Sequence, residues 1–203
     1  MLQAPDPPLV LASASAARLG LLRAAGLVVT AEAAAVDEDA LKHSARAEGL
    51  PPEEAALMLA EAKATRISRR RPEALVIAAD QILVCEGRWF DKPADAAAVA
   101  DHLRALSGRA HRLVNGVVVH RWGRRIWQHG DAPRLVMRPL SEAFIAAYVA
   151  AEGEAARHSV GGYRLEGPGI QLFERIEGEH SAILGLPMLP LLAFLRQHGV
   201  LLA

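Results

Sequence analysis

Only one cysteine, Cys85, occurs in the 203 residues. No intramolecular disulfide can form, which suits a reducing compartment. An excess of one charge sign is also missing, since 23 Lys and Arg balance 23 Asp and Glu. That excludes the bulk basic field of a general nucleic-acid binder, although a local basic pocket stays open. Aromatic residues make up 4% of the chain, too few for a run of base-stacking platforms. No apolar run is long enough to span a bilayer. The stretch Met1-Leu2-Gln3-Ala4-Pro5-Asp6-Pro7-Pro8 has no basic segment and no apolar core, so no signal peptide is expected. Internal repeats, a Walker or Rossmann glycine pattern and zinc-ligand spacing are absent too. These absences lead to the expectation of a cytoplasmic protein with no membrane and no nucleic-acid partner.

What is present is apolar bulk: 52% of residues, enough to bury a substantial core. The length suits one α/β domain or two closely packed lobes. The central stretch is Leu75-Val76-Ile77-Ala78-Ala79-Asp80-Gln81-Ile82-Leu83-Val84, bounded by Pro72 and by a turn at Glu86-Gly87-Arg88. Short apolar runs between turn signals read as buried strands. The acid inside it, Asp80, either caps a strand end or is a paired, metal-bound or functional carboxylate, because an unpaired buried charge is costly.

Leu9 to Ala12 reads as a strand that runs into a helix from Ser13-Ala14-Ser15 to about Ala25, closed by Gly26. A strand entering a helix N-terminus offers free N–H groups and a positive dipole end to an anion. Ser13 and Ser15 would add hydroxyls, and Arg18, one turn in, could reach the same anion; plain capping explains the same residues. Leu27-Val28-Val29 is a second strand candidate. The acidic run Asp37-Glu38-Asp39 is either a solvated loop or a hard-cation site, and Lys42 to Gly49 reads as a mobile polar connection. A helix begins at Pro51-Pro52-Glu53-Glu54 with Leu57, Ala60, Ala64 and Ile67 on one face and Lys63 beside it. Lys63 would snorkel along the core edge or enter a cleft. Ser68-Arg69-Arg70-Arg71 ends that helix with charge that suits its dipole.

After the central strand, Lys92 precedes Pro93 and is biased to extended backbone. A helix from Ala94 to Leu106 follows, then a polar turn Ser107-Gly108-Arg109-Ala110-His111. Arg109 and His111 would share a face if the next strand begins early. Arg112 to His120, Ile126 to Gln128 and Arg134 to Arg138 read as an antiparallel meander, with a turn at Trp122-Gly123-Arg124-Arg125. A helix from Ser141 ends at Gly153. The glycine-rich stretch Ser159 to Gly169 implies close backbone geometry around Glu166. A leucine-rich helix, Met188 to His198, closes at Gly199.

Six stretches in order resemble the Maf family of nucleoside triphosphate pyrophosphatases: Leu11-Ala12-Ser13-Ala14-Ser15-Ala16-Ala17-Arg18, Val36-Asp37-Glu38, Glu61-Ala62-Lys63-Ala64, Ala79-Asp80-Gln81 with Lys92-Pro93, Leu106 to His111, and Gly161-Gly162-Tyr163 through Gly185-Leu186-Pro187. The resemblance covers about residues 9 to 198. It implies a single domain over 1–203 with a mixed elongated sheet flanked by helices and two lobes around a central cleft. It also implies hydrolysis of a nucleoside triphosphate to a monophosphate and pyrophosphate with Mg²⁺ or Mn²⁺. Asp80, Lys63 and Lys92 would be catalytic, and Glu38 and Asp80 the metal ligands. Ser13, Ser15, Arg18, Gln81, Glu166, Arg109 and His111 would contact substrate.

Gln81 follows the strand aspartate, as in the 7-methyl-GTP branch; threonine there marks the dTTP/UTP branch. Glu166 and the run Leu172-Phe173-Glu174-Arg175-Ile176-Glu177-Gly178 also look like the 7-methyl-GTP branch. Ala16 replaces the usual proline, Leu19 a second arginine, Asp91 a glycine, and Ala17 stands where that branch carries a base-stacking aromatic. Specificity would rest on Ala17, Gln81 and Glu166. The alternatives are a dTTP/UTP pyrophosphatase, a nucleotide-binding regulator of cell division with little turnover, and a nucleic-acid-binding α/β protein, against which zero net charge and few aromatics argue. A homodimer is compatible with the family.

Overall fold

A computed structural model describes residues 2–202; Met1 and Ala203, the ends of the expected 1–203 domain, lie outside the described residues. The strands among the described residues are β1 (Leu9–Leu11), β2 (Val29–Ala31), β3 (Leu75–Cys85), β4 (Arg88–Phe90), β5 (Ala110–Arg121), β6 (Arg124–Asp131), β7 (Arg134–Met137) and β8 (Phe173–Glu177). The helices among them are α1 (Ala16–Ala24), α2 (Glu38–Ala47), α3 (Pro52–Ser68), α4 (Ala96–Leu106), α5 (Glu142–Glu152), α6 (His180–Ile183) and α7 (Met188–Gln197). Three 3-10 turns lie between α5 and β8. The strand order is β2-β1-β3-β5-β7-β8, with β4 on β3 and β6 on β5. β1 runs parallel to β2 and β3, and the hairpin pairs are antiparallel, so the mixed α/β sheet expected from the sequence is present. No helix among the described residues is long and apolar enough to cross a membrane.

The chain divides into two compact units. The first contains Met1–Asp80, Asn115–Asp131 and Glu179–Ala203. Its strands are apolar on both faces, as expected for parallel strands covered by helices. Leu9, Leu11, Leu75, Ile77, Ala79, Val117 and Val119 join Leu22 of α1 and Leu191, Phe194 and Leu195 of α7 in one core layer. Their strand neighbours Val10, Ala12, Val76, Ala78 and Val118 meet Ala60, Ala64 and Ile67 of α3 in the other. The period of two along each strand divides the side chains between the layers. α3 lies unusually close to β5, because a Cβ on Gly116 would collide with the backbone of Ala56 and Leu57. An isolated glycine inside a strand marks such an approach.

The second unit contains Gln81–Val114 and Ala132–Gly178. Val99, Leu103 and Leu106 of α4 are fully buried. Gly161 and Gly162 both have positive φ, and a Cβ on either would press on Leu83 or Val99.

Several elements differ from the sequence expectation. β2 starts at Val29 because Leu27 N–H closes α1 on Leu22, while the Val28 backbone is taken by the Gln3 side chain. Residues Lys42 to Gly49 belong to helix α2 and its end rather than to a mobile connection. Asp37 caps that helix by accepting from Ala40 N–H, and Glu38 and Asp39 sit in its first turn, where the dipole favours carboxylates. The meander is also corrected: β6 pairs with β5, whereas β7 pairs with both β5 and β8. Ala132-Pro133 separates β6 from β7, and Pro133 has no N–H to donate to a ladder. The glycine-rich stretch runs into a 3-10 turn, Pro168–Leu172, before β8 begins.

Candidate active site

Asp80 lies six residues into an eleven-residue strand, so it is not a strand-end cap. It is buried and shares a face of β3 with Ala78, whose layer abuts α3. On α3, Lys63 follows Ala56 and Ala60 on the buried face, so its stem runs inward rather than along the core edge. Lys63 Nζ donates to Asp80 Oδ1 at 2.5 Å and lies 3.0 Å from Glu38 Oε1. Glu38, the first residue of α2, keeps 41% of its side chain exposed, whereas Lys63 and Asp80 keep 7% and 5%. One ammonium therefore bridges a buried and an accessible carboxylate. Its third proton is free of these two bonds, and Asp80 Oδ2 is buried with no hydrogen-bond partner. A buried acceptor left open this way is the usual mark of a ligand, water or ion position.

The β1–α1 junction supplies the next components. Ser15 caps α1 by accepting from Arg18 N–H at 3.3 Å, and Ser13 Oγ accepts from Ser15 N–H at 3.1 Å. Both hydroxyl protons remain available. The first N–H groups of α1 have no intrahelical acceptor, which is the general condition for an anion site. Arg18 donates through Nε to Gly185 O at 2.8 Å and through Nη1 to Ala79 O at 2.9 Å. It thereby links α1, the residue before Asp80, and the turn before α7. Burial pushes the Arg18 pKa down, while the Asp80 and Glu38 carboxylates act in the opposite direction. Gly185 has φ +91°, and a Cβ there would stand 3.0 Å from Arg18 Nη2. That turn is fixed from α6: Glu179 Oε1 accepts from the N–H groups of Met188 and Leu189 at 3.1 Å each, and from the Ser181 hydroxyl. Ala17, half-buried on α1, offers no ring for a base.

The structure thus brings Ser13, Ser15, Arg18, Glu38, Lys63 and Asp80 together within the first unit. Ala17 belongs to the first unit as well, and the remaining predicted residues belong to the second. Gln81 follows Asp80 on the opposite face of β3 and is half-buried. Lys92 is exposed two residues after β4. Glu166 is exposed in the glycine-rich segment, which the Arg164–Glu152 ion pair supports at 2.9 Å. Arg109 and His111 are not brought onto one face. Strand β5 begins between them at Ala110, and Arg109 stays exposed beside Glu86 at 3.2 Å. His111 is 2% exposed, and its Nε2 lies 2.7 Å from the Tyr163 hydroxyl. Tyr163 and Phe173 enclose the imidazole, and burial lowers its pKa to about 4, leaving it neutral near pH 7. It has no surface to present to a substrate.

Sequence reasoning passed over Gly116, Glu179 and Ser181. Only Gly116 carried a usable signal, a glycine within a strand run. Glu179 caps a helix whose first residue lies nine positions later, a relation with no local signature.

The Maf-like protein family matches the sequence over residues 8–198. The chain belongs to the Maf family. It is 55% identical over 193 residues to a nucleoside triphosphate pyrophosphatase of Granulibacter bethesdensis, covering 95% of this chain and 98% of that protein. It is 51% identical over 192 residues to the protein of the same name from Paramagnetospirillum magneticum, with 95% and 99% covered. A 7-methyl-GTP pyrophosphatase of Rhizobium meliloti is 50% identical over 195 residues, with 96% and 98% covered.

Proposed function

We propose that this Maf-family chain hydrolyses a nucleoside triphosphate between its α and β phosphates, with 7-methyl-GTP as the preferred substrate. The observation that carries the reading is the Glu38–Lys63–Asp80 cluster with the unpartnered Asp80 Oδ2. A carboxylate oxygen held in this way accepts a proton from an attacking water, while the adjacent ammonium fixes the other oxygen and stabilises charge on the phosphates. Ser13, Ser15 and the first turn of α1 are suited to phosphate oxygens. Arg18 adds positive potential and holds the junction in shape through Ala79 and Gly185. Lys92 keeps the role the family resemblance implies for it, neutralising phosphate charge.

Glu38 and Asp80 are the oxygen donors that would hold Mg²⁺ or Mn²⁺ directly or through water, Asp80 Oδ2 facing the water it would orient or deprotonate. Among the described residues no three His, Cys, Asp or Glu side chains come together as a metal site. Water and phosphate oxygens would then complete the ion's ligands, as is usual for Mg²⁺. When bound, the ion supplies charge neutralisation at the phosphate oxygens.

The base preference rests on Gln81 and Glu166, and on the relatives named 7-methyl-GTP pyrophosphatase. A pyrophosphate-release assay with Mg²⁺ or Mn²⁺, comparing 7-methyl-GTP, GTP, dTTP, UTP and CTP, tests both parts. Selective release from 7-methyl-GTP, lost in Asp80→Asn, supports the full reading. Preference for dTTP or UTP keeps the reaction and discards the base assignment. Binding without release from any nucleotide overturns the enzymatic reading in favour of a regulator.

A further inference from the structure

Two arginine runs, fifty residues apart in the sequence, meet on the first unit. The end of α3 supplies Arg69, Arg70 and Arg71; the β5–β6 hairpin supplies Arg121, Arg124 and Arg125. The hairpin tip is fastened to the helix end by two bonds. Gly123 N–H donates to Ser68 Oγ at 3.0 Å, and Trp122 N–H donates to Pro72 O at 2.9 Å. The helix dipole explains one basic run at a C-terminus, but not a second run docked against it. Glu32 answers Arg70 and Arg71 at 3.3 Å each, and Glu61 answers Arg125 at 3.2 Å. Arg69 and Arg124, both exposed, have no carboxylate partner among the described residues. A chain of zero net charge therefore carries a local concentration of arginines on this surface.

An aromatic ring stands in the middle of it. Trp122 is 65% exposed, and its φ of 50° is one that bulky residues rarely adopt. With Gly123 at φ 72° it forms a two-residue hairpin turn, a place where Asn-Gly is the favoured pair. The Arg121 guanidinium covers one face of the ring at 4.1 Å, and most of the residue's surface stays exposed. Ile126, at 39%, is the other large exposed apolar side chain of this hairpin. One ring and one isoleucine make too small an apolar face for insertion into a lipid surface. Guanidinium forks match phosphodiester oxygens in pairs, and an isolated ring among cations is the arrangement that stacks a base.

We infer that this surface binds single-stranded nucleic acid, with phosphodiesters on the two arginine runs and a base stacked on Trp122. The test is fluorescence anisotropy of a labelled single-stranded RNA of about 12 nucleotides with a 5′-hydroxyl, in about 100 mM salt. Excess non-hydrolysable nucleoside triphosphate is present, so that any binding at the Asp80 cluster is blocked. Arg69→Gln/Arg124→Gln is expected to weaken binding about tenfold or more and to flatten the log–log salt slope by about 1.4, the value for two phosphate contacts on a single strand. Trp122→Asn keeps the turn, because asparagine accepts positive φ, and is expected to weaken binding about fivefold or more with little change in salt slope. Both variants should keep pyrophosphate release and thermal unfolding unchanged. No saturable RNA binding by the unmodified chain, or affinities indifferent to both variants, would overturn the inference. So would preferential capture by phosphatidylglycerol vesicles or polyglutamate, which would reassign the surface to a membrane or an acidic protein.

Discussion

The Lys63 ammonium lies 2.5 Å from Asp80 Oδ1, with both side chains buried, and it also reaches Glu38 at 3.0 Å. This bridge fixes one oxygen of Asp80 and leaves the other open to chemistry. Asp80→Asn removes a base and a hard-cation ligand while preserving shape. Turnover should fall by about 10²-fold or more, with a cooperative unfolding transition retained. Pyrophosphate release and circular dichroism on the same preparation check this; full turnover by a folded Asp80→Asn would remove Asp80 from the mechanism.

The same bridge predicts a stability pattern. Lys63→Met leaves the Asp80 carboxylate buried without its cation, which should cost about 3–5 kcal/mol. Lys63→Met/Asp80→Leu removes both charges and should regain most of that loss while staying inactive. Urea unfolding of the two variants checks the order. Equal stability in both would mean that Lys63 contributes packing alone.

Most of the first unit was legible in the sequence because its signals are local. The apolar run at residues 75–84, the serine entry to α1 and the proline entry to α3 each carry their own physical reason, and each element formed. The pairing of Lys63 with Asp80 was not readable from spacing. It depends on α3 lying flat on the sheet, which in turn depends on Gly116 meeting Ala56 without a side chain. The acidic run at 37–39 resembled a loop because helix N-termini and solvated loops prefer the same residues. His111 read as a substrate-contacting residue at the end of a polar turn, whereas its burial is set by Tyr163 and Phe173, more than fifty residues away.

Two glycines give opposite expectations. Gly116→Ala forces a Cβ onto the backbone of α3, so the helix carrying Lys63 must shift. A loss of about 1–3 kcal/mol or more is expected, with impaired turnover. Gly20 lies within α1 with nothing near its would-be Cβ, and its φ is not in the left-handed region. Gly20→Ala should stabilise by about 0.4–1 kcal/mol and leave turnover intact. Thermal unfolding of the pair checks the contrast; a destabilised Gly20→Ala would contradict the open surroundings of that site.

The pH dependence of stability should carry a signature of His111. Its folded pKa of about 4 lies below the ordinary 6.5, because burial disfavours the cation. Between these values the unfolded chain binds the proton and the folded chain does not, so stability falls as pH drops through that window. The full contribution is present above about pH 6.5 and amounts to about 3 kcal/mol, lost by about pH 4. His111→Gln keeps a polar partner for Tyr163 without a titrating ring, so it should flatten that part of the curve. Urea midpoints at pH 7 and pH 4.5 for both proteins measure the difference; parallel curves would mean that other groups carry the acid sensitivity.

The glycine-rich segment offers the last test. Glu152 is buried at the end of α5, and its carboxylate accepts from Arg164 Nε at 2.9 Å and Nη2 at 3.3 Å. Both groups lie against Gly167, where a Cβ would stand 3.2 Å from Glu152 Oε1. Glu166 sits between the two backbone positions this pair holds. Arg164→Ala strands a buried carboxylate and releases the segment, so it should lose about 3 kcal/mol and raise KM. Arg164→Ala/Glu152→Gln removes the stranded charge but not the looseness. It should therefore recover stability while KM stays high, and that separation ties Glu166 to substrate through its backbone setting. If KM recovers together with stability, the Glu152–Arg164 pair serves folding alone and the base assignment must rest on Gln81.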